Sequence, residues 1–373
     1  MEISIIGGGI TGLTTALALH KVDIQSKVYE QAYSLNEIGA GIWLQPNALQ
    51  VLNWLGIHQE IEVNGCVLNK MEITYPNLKP IKRIISNVVA DRYGNQTIAI
   101  HRGKLQRILY DQCERLGLVE LGMSYTNHVQ EGNKTLVHFE NKNIQTDVVL
   151  GADGIKSKVR ECIGQPSEYR LTGQICCRGI ANMQLPDQLQ KEGKEIWGNK
   201  VRFGFSQLSD DSVYFFIVMS KELCPEHITK ESLSTLFRDF DPIVNNIVSA
   251  SEEMHIAELT DLKRLDSWHN KTTCLLGDAA HATTPNMGQG ACQGIEDAYY
   301  ISKFLKGNTP VIAFEEFEKN RRKKVDYVVN NSWNFGQLAH NRVGQMLLKA
   351  VMKLTPEKVM SKQMNKLYSI EGL

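Results

Sequence analysis

The chain has 373 residues, with 41 Lys and Arg against 41 Asp and Glu. Single cores usually stop growing near about 250 to 300 residues, so two domains are expected; the neutral balance, with no basic stripe beyond the helical-face cluster Arg321, Arg322, Lys323 and Lys324, argues against a nucleic-acid partner. Eight cysteines with no CxxC pair argue against a metal site or a disulfide framework and fit a reduced, cytoplasmic setting, no secretory leader is expected before Ile3, and no apolar run approaches the roughly 18 to 20 residues of a transmembrane segment.

In chain order, "ISIIGGGITGL" reads as a buried strand, Ile3 to Ile6, a glycine turn, and a helix from Gly12 to about Lys21. Gly7, Gly9 and Gly12 match GxGxxG, whose glycines serve a tight turn, close approach to a pyrophosphate, and close packing of helix on strand. The helix start then offers free N–H groups to phosphate. A second strand, "QSKVYE", ends in Glu30, about twenty residues past the last glycine, where a carboxylate can accept both ribose hydroxyls and would repel a 2′-phosphate. This segment alone does not decide between NAD and FAD. The stretch "GAGIWLQPNALQVLNWLGI" that follows interrupts the strand–helix alternation, which suits a larger cofactor running past the pyrophosphate.

The helix "RGKLQRILYDQC" turns Leu105, Ile108, Leu109 and Cys113 inward. Arg102 at its entrance is unfavourable with the helix dipole, so a bound phosphate or other acceptor would explain it. "TDVVLGADGIKSKVR" is a second strand-to-helix junction, with Gly151, Asp153 and Gly154 before a helix carrying Ser157 and Arg160. Residues 171 to about 268 are rich in short β-branched and aromatic segments and read as an antiparallel sheet, with strands added from 72–100. Cys176 and Cys177 are expected on opposite faces.

Arg178 and Arg202 each interrupt an apolar strand. Each therefore needs a protein carboxylate, water at a sheet edge, or an anionic or carbonyl-bearing substrate. Phe203, Phe205, Tyr214 and Phe216 can line an aromatic pocket or simply alternate into a core. The third junction, "LLGDAAHATTPNMGQGACQGIEDA", sets Asp278 at a strand end and Pro285, Gly288 and Gly290 before a helix. There a carboxylate can accept sugar-alcohol hydroxyls, and glycines let backbone N–H groups approach a flat ring. From about 326 the tail reads as helical, packed back over both domains or, as the alternative, lying on a membrane surface.

The glycine fingerprint, GADGxxSxVR and LLGDAAHxxxPxxGQG, in this order, resemble the class A FAD-dependent monooxygenases of the para-hydroxybenzoate hydroxylase fold. In motif they are nearest the branch of urate hydroxylase, salicylate hydroxylases and zeaxanthin epoxidase. The resemblance implies an α/β fold with a Rossmann-like FAD-binding domain (GR2-type), an interleaved antiparallel substrate domain and a C-terminal helix. The expected division is 1–71, 101–170 and 269–325 for the FAD-binding domain, 72–100 and 171–268 for the substrate sheet, and 326–373 for the tail.

It also implies that Gly7, Gly9 and Gly12 hold the pyrophosphate, Glu30 the ribose and Asp278 the ribityl chain. Arg102 would contact the middle of the cofactor, and Asp153 would organise FAD and nicotinamide access. Pro285, Gly288, Gln289 and Gly290 would lie by the isoalloxazine, with the helix's positive end toward the edge that gains charge on reduction. "WGNKVRFGF" resembles a segment facing the active site in relatives, which favours Arg202 over Arg178 as a substrate contact. His281 is expected to be structural and Cys292 a packing residue.

The implied activity is hydroxylation or epoxidation of an aromatic, heterocyclic or polyene molecule by a flavin C4a-hydroperoxide formed from NADH or NADPH and O₂, with no side-chain base assigned and a monomer or homodimer as the working unit. The alternatives are an FAD-dependent reductase without oxygen transfer and a non-catalytic FAD-binding interaction protein.

Overall fold

The strand Glu2–Ile6 lies between two parallel neighbours, Gln25–Tyr29 and Val148–Gly151, in the computed structural model, which describes residues 1–35, 40–85 and 91–373. Thr273–Leu275 continues the sheet beyond Val148–Gly151, and Val119–Glu120 closes the other side, giving five described strands. Ile3, Ile5 and Ile6 are all buried because this sheet is covered on both faces, which is why its strands read as unbroken apolar runs. One cover is formed by the helices Ile10–Lys21 and Gly290–Leu305, which pack closely where Gly294 meets Thr11: a Cβ on Gly294 would collide with the Thr11 hydroxyl.

A second, larger sheet has seven described strands in the order Ser251–Leu262, Tyr169–Asn182, Ser212–Ser220, Val201–Ser209, Glu192–Trp197, Lys70–Thr74 and Pro80–Ile85. One face packs on the helices Lys230–Leu236 and Pro242–Ala250 through a core that includes Phe203, Phe205, Phe215, Phe237 and Val244. The opposite face packs through Leu208, Tyr214 and Phe216 on Trp43, Leu68 and Ala99. Cys176 and Cys177 take opposite faces, each within a different apolar cluster.

Two expected boundaries move. Of residues 72–100, Thr97–His101 joins a small antiparallel sheet with Gly41–Leu44 and Cys66–Leu68 instead of the large one, and 86–90 lie outside the described residues. The tail does not begin at 326, because the helix Pro310–Ala339 runs through that point: proline opens it at the first turn, and none follows before Pro356. Two shorter helices, Arg342–Leu354 and Glu357–Tyr368, complete the chain. The tail does fold back, with Gln50 donating to the Tyr368 carbonyl at 2.8 Å and Lys324 to that of Ser369 at 3.1 Å. Among the described residues no helix is long and apolar enough to cross a membrane.

Candidate functional site

The registers set Ile6 beside Gly151 and Gly151 beside Leu275, so the three motif loops leave the carboxyl ends of three adjacent parallel strands. In open α/β sheets that edge is where ligands bind. The three fingerprint glycines do three measurable things. Gly7 has φ +107°, and a Cβ there would lie 2.6 Å from the Ala152 carbonyl oxygen, so the first loop crosses directly over the second. Gly12 packs so tightly that a Cβ would strike the Gly7 carbonyl. Around Gly9, by contrast, no atom of the described residues beyond its chain neighbours lies within 4 Å of the Cβ position, so its backbone faces an open groove.

Glu30, at the end of the next strand, accepts the Gly8 N–H at 2.6 Å and the Ala32 N–H at 2.9 Å. Each carboxylate oxygen keeps a further acceptor site. In the second loop the Ser157 hydroxyl caps the helix Lys158–Cys162, and Asp153 Oδ2 accepts from the Val159 N–H at 3.1 Å, whereas Asp153 Oδ1 is buried with no partner among the described residues. Burial pushes the Asp153 carboxyl up, opposed by the hydrogen bonds it accepts.

Asp278 has no hydrogen bond or ion pair among the described residues and opens onto the groove. Protein surrounds that groove closely, and burial raises its carboxyl above the usual range against the pull of His281 and Arg102. The Arg102 guanidinium is likewise without a hydrogen-bonded or ionic partner among the described residues; burial lowers it first, with Arg178 adding repulsion and Asp278 offsetting it. Arg102, Arg178 and Asp278 therefore share one electrostatic neighbourhood.

The third loop forms a single turn, Pro285–Met287, ended by Gly288 at φ +62°, where a Cβ would sit 2.7 Å from the Gln45 amide nitrogen. The Gln289 side chain points inward and is fully buried, donating to Gln45 Oε1 at 2.6 Å and accepting from Asn47 at 3.1 Å and Gln293 at 2.6 Å. Only its backbone and that of Gly290 are left for a ligand, at the start of the helix Gly290–Leu305. His281 is held by the protein: its Nε2 meets Asp297 at 2.7 Å, and Asp297 also accepts the Gly277 N–H and Arg321 Nε. Burial would raise the Asp297 carboxyl, but His281 and Arg321 together hold it below the usual range. Cys292 is buried, and burial pushes its thiol up to about 12.

The large sheet supplies the opposite wall. Arg178, Tyr214 and Phe216 lie on its groove-facing side; Tyr214 and Phe216 pack edge-on against Trp43, whose indole N–H donates to Ser206 at 2.8 Å. The expectation that Phe203 lines this pocket does not hold: strand alternation turns it to the other face, stacked on Phe215 at 5.8 Å, and Phe205 goes with it. Arg202 does face the groove side, but it is 1% exposed and committed to protein: Nε to His340 at 3.1 Å, Nη1 to Glu195 at 3.0 Å, and Nη2 to the side chain of Asn286 in the third loop.

Trp43, Gln45 and Asn47 are site residues that pattern reading did not single out, although "GAGIWLQPNALQ" stood out as an insertion. The signal available was a cluster of amides at the entrance of the apolar helix Pro46–Leu55, where no exposed loop was needed.

Residues 1–332 match the family described as an FAD binding domain. The chain is 28% identical to the aurachin C monooxygenase/isomerase of Stigmatella aurantiaca over 345 residues, 91% of this chain and 89% of that one. It is also 28% identical to the 3-hydroxybenzoate 6-hydroxylase of Polaromonas naphthalenivorans over 366 residues, 94% and 90% of the two chains. The structure of Klebsiella pneumoniae HpxO complexed with FAD and uric acid superposes with a TM-score of 0.89 at 23% identity, over 98% of this chain and 96% of that one, a likeness of fold. A groove at three adjacent strand ends and a family match over most of the length lead to one conclusion: the chain belongs to the FAD binding domain family and is an FAD-dependent monooxygenase with the class A flavoprotein fold.

Proposed function

We propose that the protein uses NADH or NADPH and O₂ to hydroxylate or epoxidise a small aromatic or heterocyclic molecule held against the groove face of the large sheet. The observation that carries this reading is the groove itself, with the open Gly9 backbone at one end and the unpartnered Asp278 carboxylate beneath the third loop. FAD fits it on three counts: space beside Gly9, a buried Asp153 oxygen lacking a donor, and an Asp278 carboxylate lacking one. When bound, FAD supplies hydride acceptance and O₂ activation.

The chain's own residues bind and orient. The N–H groups from Gly7 to Gly12 would hold the pyrophosphate, Glu30 the ribose hydroxyls through its remaining acceptor sites, Arg102 the middle of the cofactor, and Asp278 the ribityl hydroxyls. Asp153 Oδ1 would take a donor near the nicotinamide approach. The backbone of Pro285, Gly288, Gln289 and Gly290 would border the ring, with the helix dipole favouring negative charge there. Tyr214, Phe216 and Trp43 would keep water from the reacting centre.

Arg178 is the substrate contact in this reading. It is half-buried, its neighbours are Cys176 and Tyr214, and it has no carboxylate partner among the described residues, which favours an anionic or carbonyl-bearing substrate. Arg202 acts by holding Asn286. Relatives named for 3-hydroxybenzoate and 6-hydroxynicotinate support that substrate class. The reading includes an FAD-binding domain interleaved with a substrate domain, with the expected bounds of 1–71, 101–170 and 269–325 against 72–100 and 171–268 shifted by the strand Thr97–His101 and the helix Pro310–Ala339, together with a cytoplasmic setting and a monomer or homodimer.

The test is the visible spectrum of the purified protein, followed by NAD(P)H and O₂ consumption and H₂O₂ yield with a panel of aromatic and heterocyclic acids. A compound that accelerates NAD(P)H oxidation while leaving little peroxide supports the reading. Bound flavin that no nicotinamide reduces would overturn it.

A further inference from the structure

The helix Arg342–Leu354 is packed on one side only. Gly344 is buried, and Leu348 and Met352 lie against Trp197 and Ile81. Val343, Met346, Leu347, Val351 and Leu354 form a single outward stripe, each between 60% and 79% exposed. Large apolar side chains exposed singly are unremarkable, but a contiguous stripe of five on one helix marks a contact surface.

The charge around this stripe has one sign. Lys349 and Lys353 lie along one edge, their ammonium groups 5.1 and 5.4 Å from the centre of the Tyr75 ring, and Lys353 also meets the Tyr75 hydroxyl at 3.1 Å. Arg342 precedes them, and Lys358, Lys362 and Lys366 follow on the next helix, all exposed. Within 342–366 the only acidic residue is Glu357, in a chain whose total charge is zero.

We propose that this face binds the surface of an anionic lipid bilayer, with the stripe in the headgroup–acyl boundary and the cations at the phosphates. An apolar face flanked by lysines and almost no acids is the composition that interfacial helices use, and each basic residue near an anionic leaflet adds attraction. The same charge disfavours a second copy as the occupant, since a twofold interface would set this basic edge against its own equivalent. Lys349 and Lys353 rest with their ammonium groups over the Tyr75 ring, and their long, flexible stems can swing those charges to the headgroup level. The assignment does not depend on the reaction catalysed.

The test is flotation of the full-length holoenzyme with phosphatidylglycerol/phosphatidylcholine vesicles and with pure phosphatidylcholine vesicles, at low and high salt. The expected result is partition onto the anionic vesicles, weakened by salt, and reduced about tenfold or more in a Met346→Glu/Leu347→Glu variant that retains its flavin spectrum. Absence of partition onto either vesicle, or partition that the variant leaves unchanged, overturns the proposal. So does a dimer in analytical ultracentrifugation that the same variant dissociates while the parent protein fails to float; the face then belongs to a second copy.

Discussion

The Arg160 guanidinium donates to the Ala279 carbonyl at 3.0 Å, joining residues 119 apart in the chain. The same side chain, fully buried, donates to the Ile155 carbonyl at 2.7 Å and to the Ser167 hydroxyl at 2.9 Å. One planar donor set thus fixes the second motif to the third. Replacing it by Arg160→Ala leaves the buried Ala279 carbonyl without its donor and the Ile155 carbonyl with the Tyr169 hydroxyl alone, and should lower stability by about 2 to 3 kcal/mol. Arg160→Lys should recover only part, because an ammonium cannot reproduce the fork. Thermal unfolding of the two variants checks this, and a melting temperature unchanged in Arg160→Ala would remove the clamp from the account.

Asp278 has no hydrogen bond or ion pair among the described residues, so its removal should cost the fold little and the cofactor much. Asp278→Ala is expected to keep its melting temperature in the flavin-free form within a few degrees of the parent and to bind FAD at least about tenfold more weakly, the loss expected for a charged hydrogen-bond acceptor. Asp278→Asn should fall between. Flavin content after gel filtration and titration of the apoprotein with FAD decide the matter; full yellow retention by Asp278→Ala would dismiss the ribityl assignment.

Gly294 and Thr11 form a close contact between two helices, and the steric argument predicts a specific rescue. Gly294→Ala should destabilise by about 1 to 3 kcal/mol through overpacking. A double change with Thr11→Ala should recover part of that loss, since the clash is with the threonine side chain. Denaturant titration of the two single variants and the double variant gives the coupling, which should be well above the few tenths expected of independent sites.

The two arginines of the large sheet should separate by readout. Arg178→Gln is expected to keep its flavin and stability but to raise the KM for an anionic or carbonyl-bearing substrate about tenfold or more. Arg202→Gln should lose stability by about 2 to 4 kcal/mol, because Glu195 and Asn286 are left facing a weaker donor. A stable Arg202→Gln with a large KM change would reverse the two roles.

Two buried histidines set an acid limit. Burial lowers His128, between Tyr125 and Thr273, to about 4, and burial together with the Arg202 charge lowers His340 to about 3. Both are neutral in the fold, whereas the unfolded chain takes up protons below the ordinary value of 6.5. The unfolded state therefore binds more protons between about 6.5 and 4, and stability falls as pH drops through that window. His128→Gln, which can still bond to both neighbours, should show a shallower fall in melting temperature from pH 7 to about 4 than the parent; equal slopes would exclude His128 as a contributor.

Much of this site was legible because backbone demands are written in residue type. Gly7, Gly9 and Gly12 each answer a separate geometric requirement, and Asp153 and Asp278 stand where a strand ends, so their positions follow from local pattern. The large sheet was legible as a sheet but not by face. Phe203 and Phe216 are both aromatic residues in strands whose two faces are both buried, so alternation does not say which face meets the groove; the register with Phe215 and the covering helices decide it. Arg202 read as a charge needing a partner, and Glu195 supplies a carboxylate 7 residues away, but its other two partners, His340 and Asn286, come from segments 138 and 84 residues away. No local signal carries such pairings.

The edge strand Thr273–Leu275 has a consequence for the order in which the protein comes into being. Synthesis proceeds from the amino end, so the glycine fingerprint and the second motif leave the ribosome long before the strand that completes their sheet. Until it arrives, Val148–Gly151 has a bare edge, and the groove lacks the loop carrying Asp278. The long-range pairing that closes it is of the slow kind. On the proposed site, FAD would find no finished groove on a partial chain and would join at the end of assembly instead of guiding its beginning.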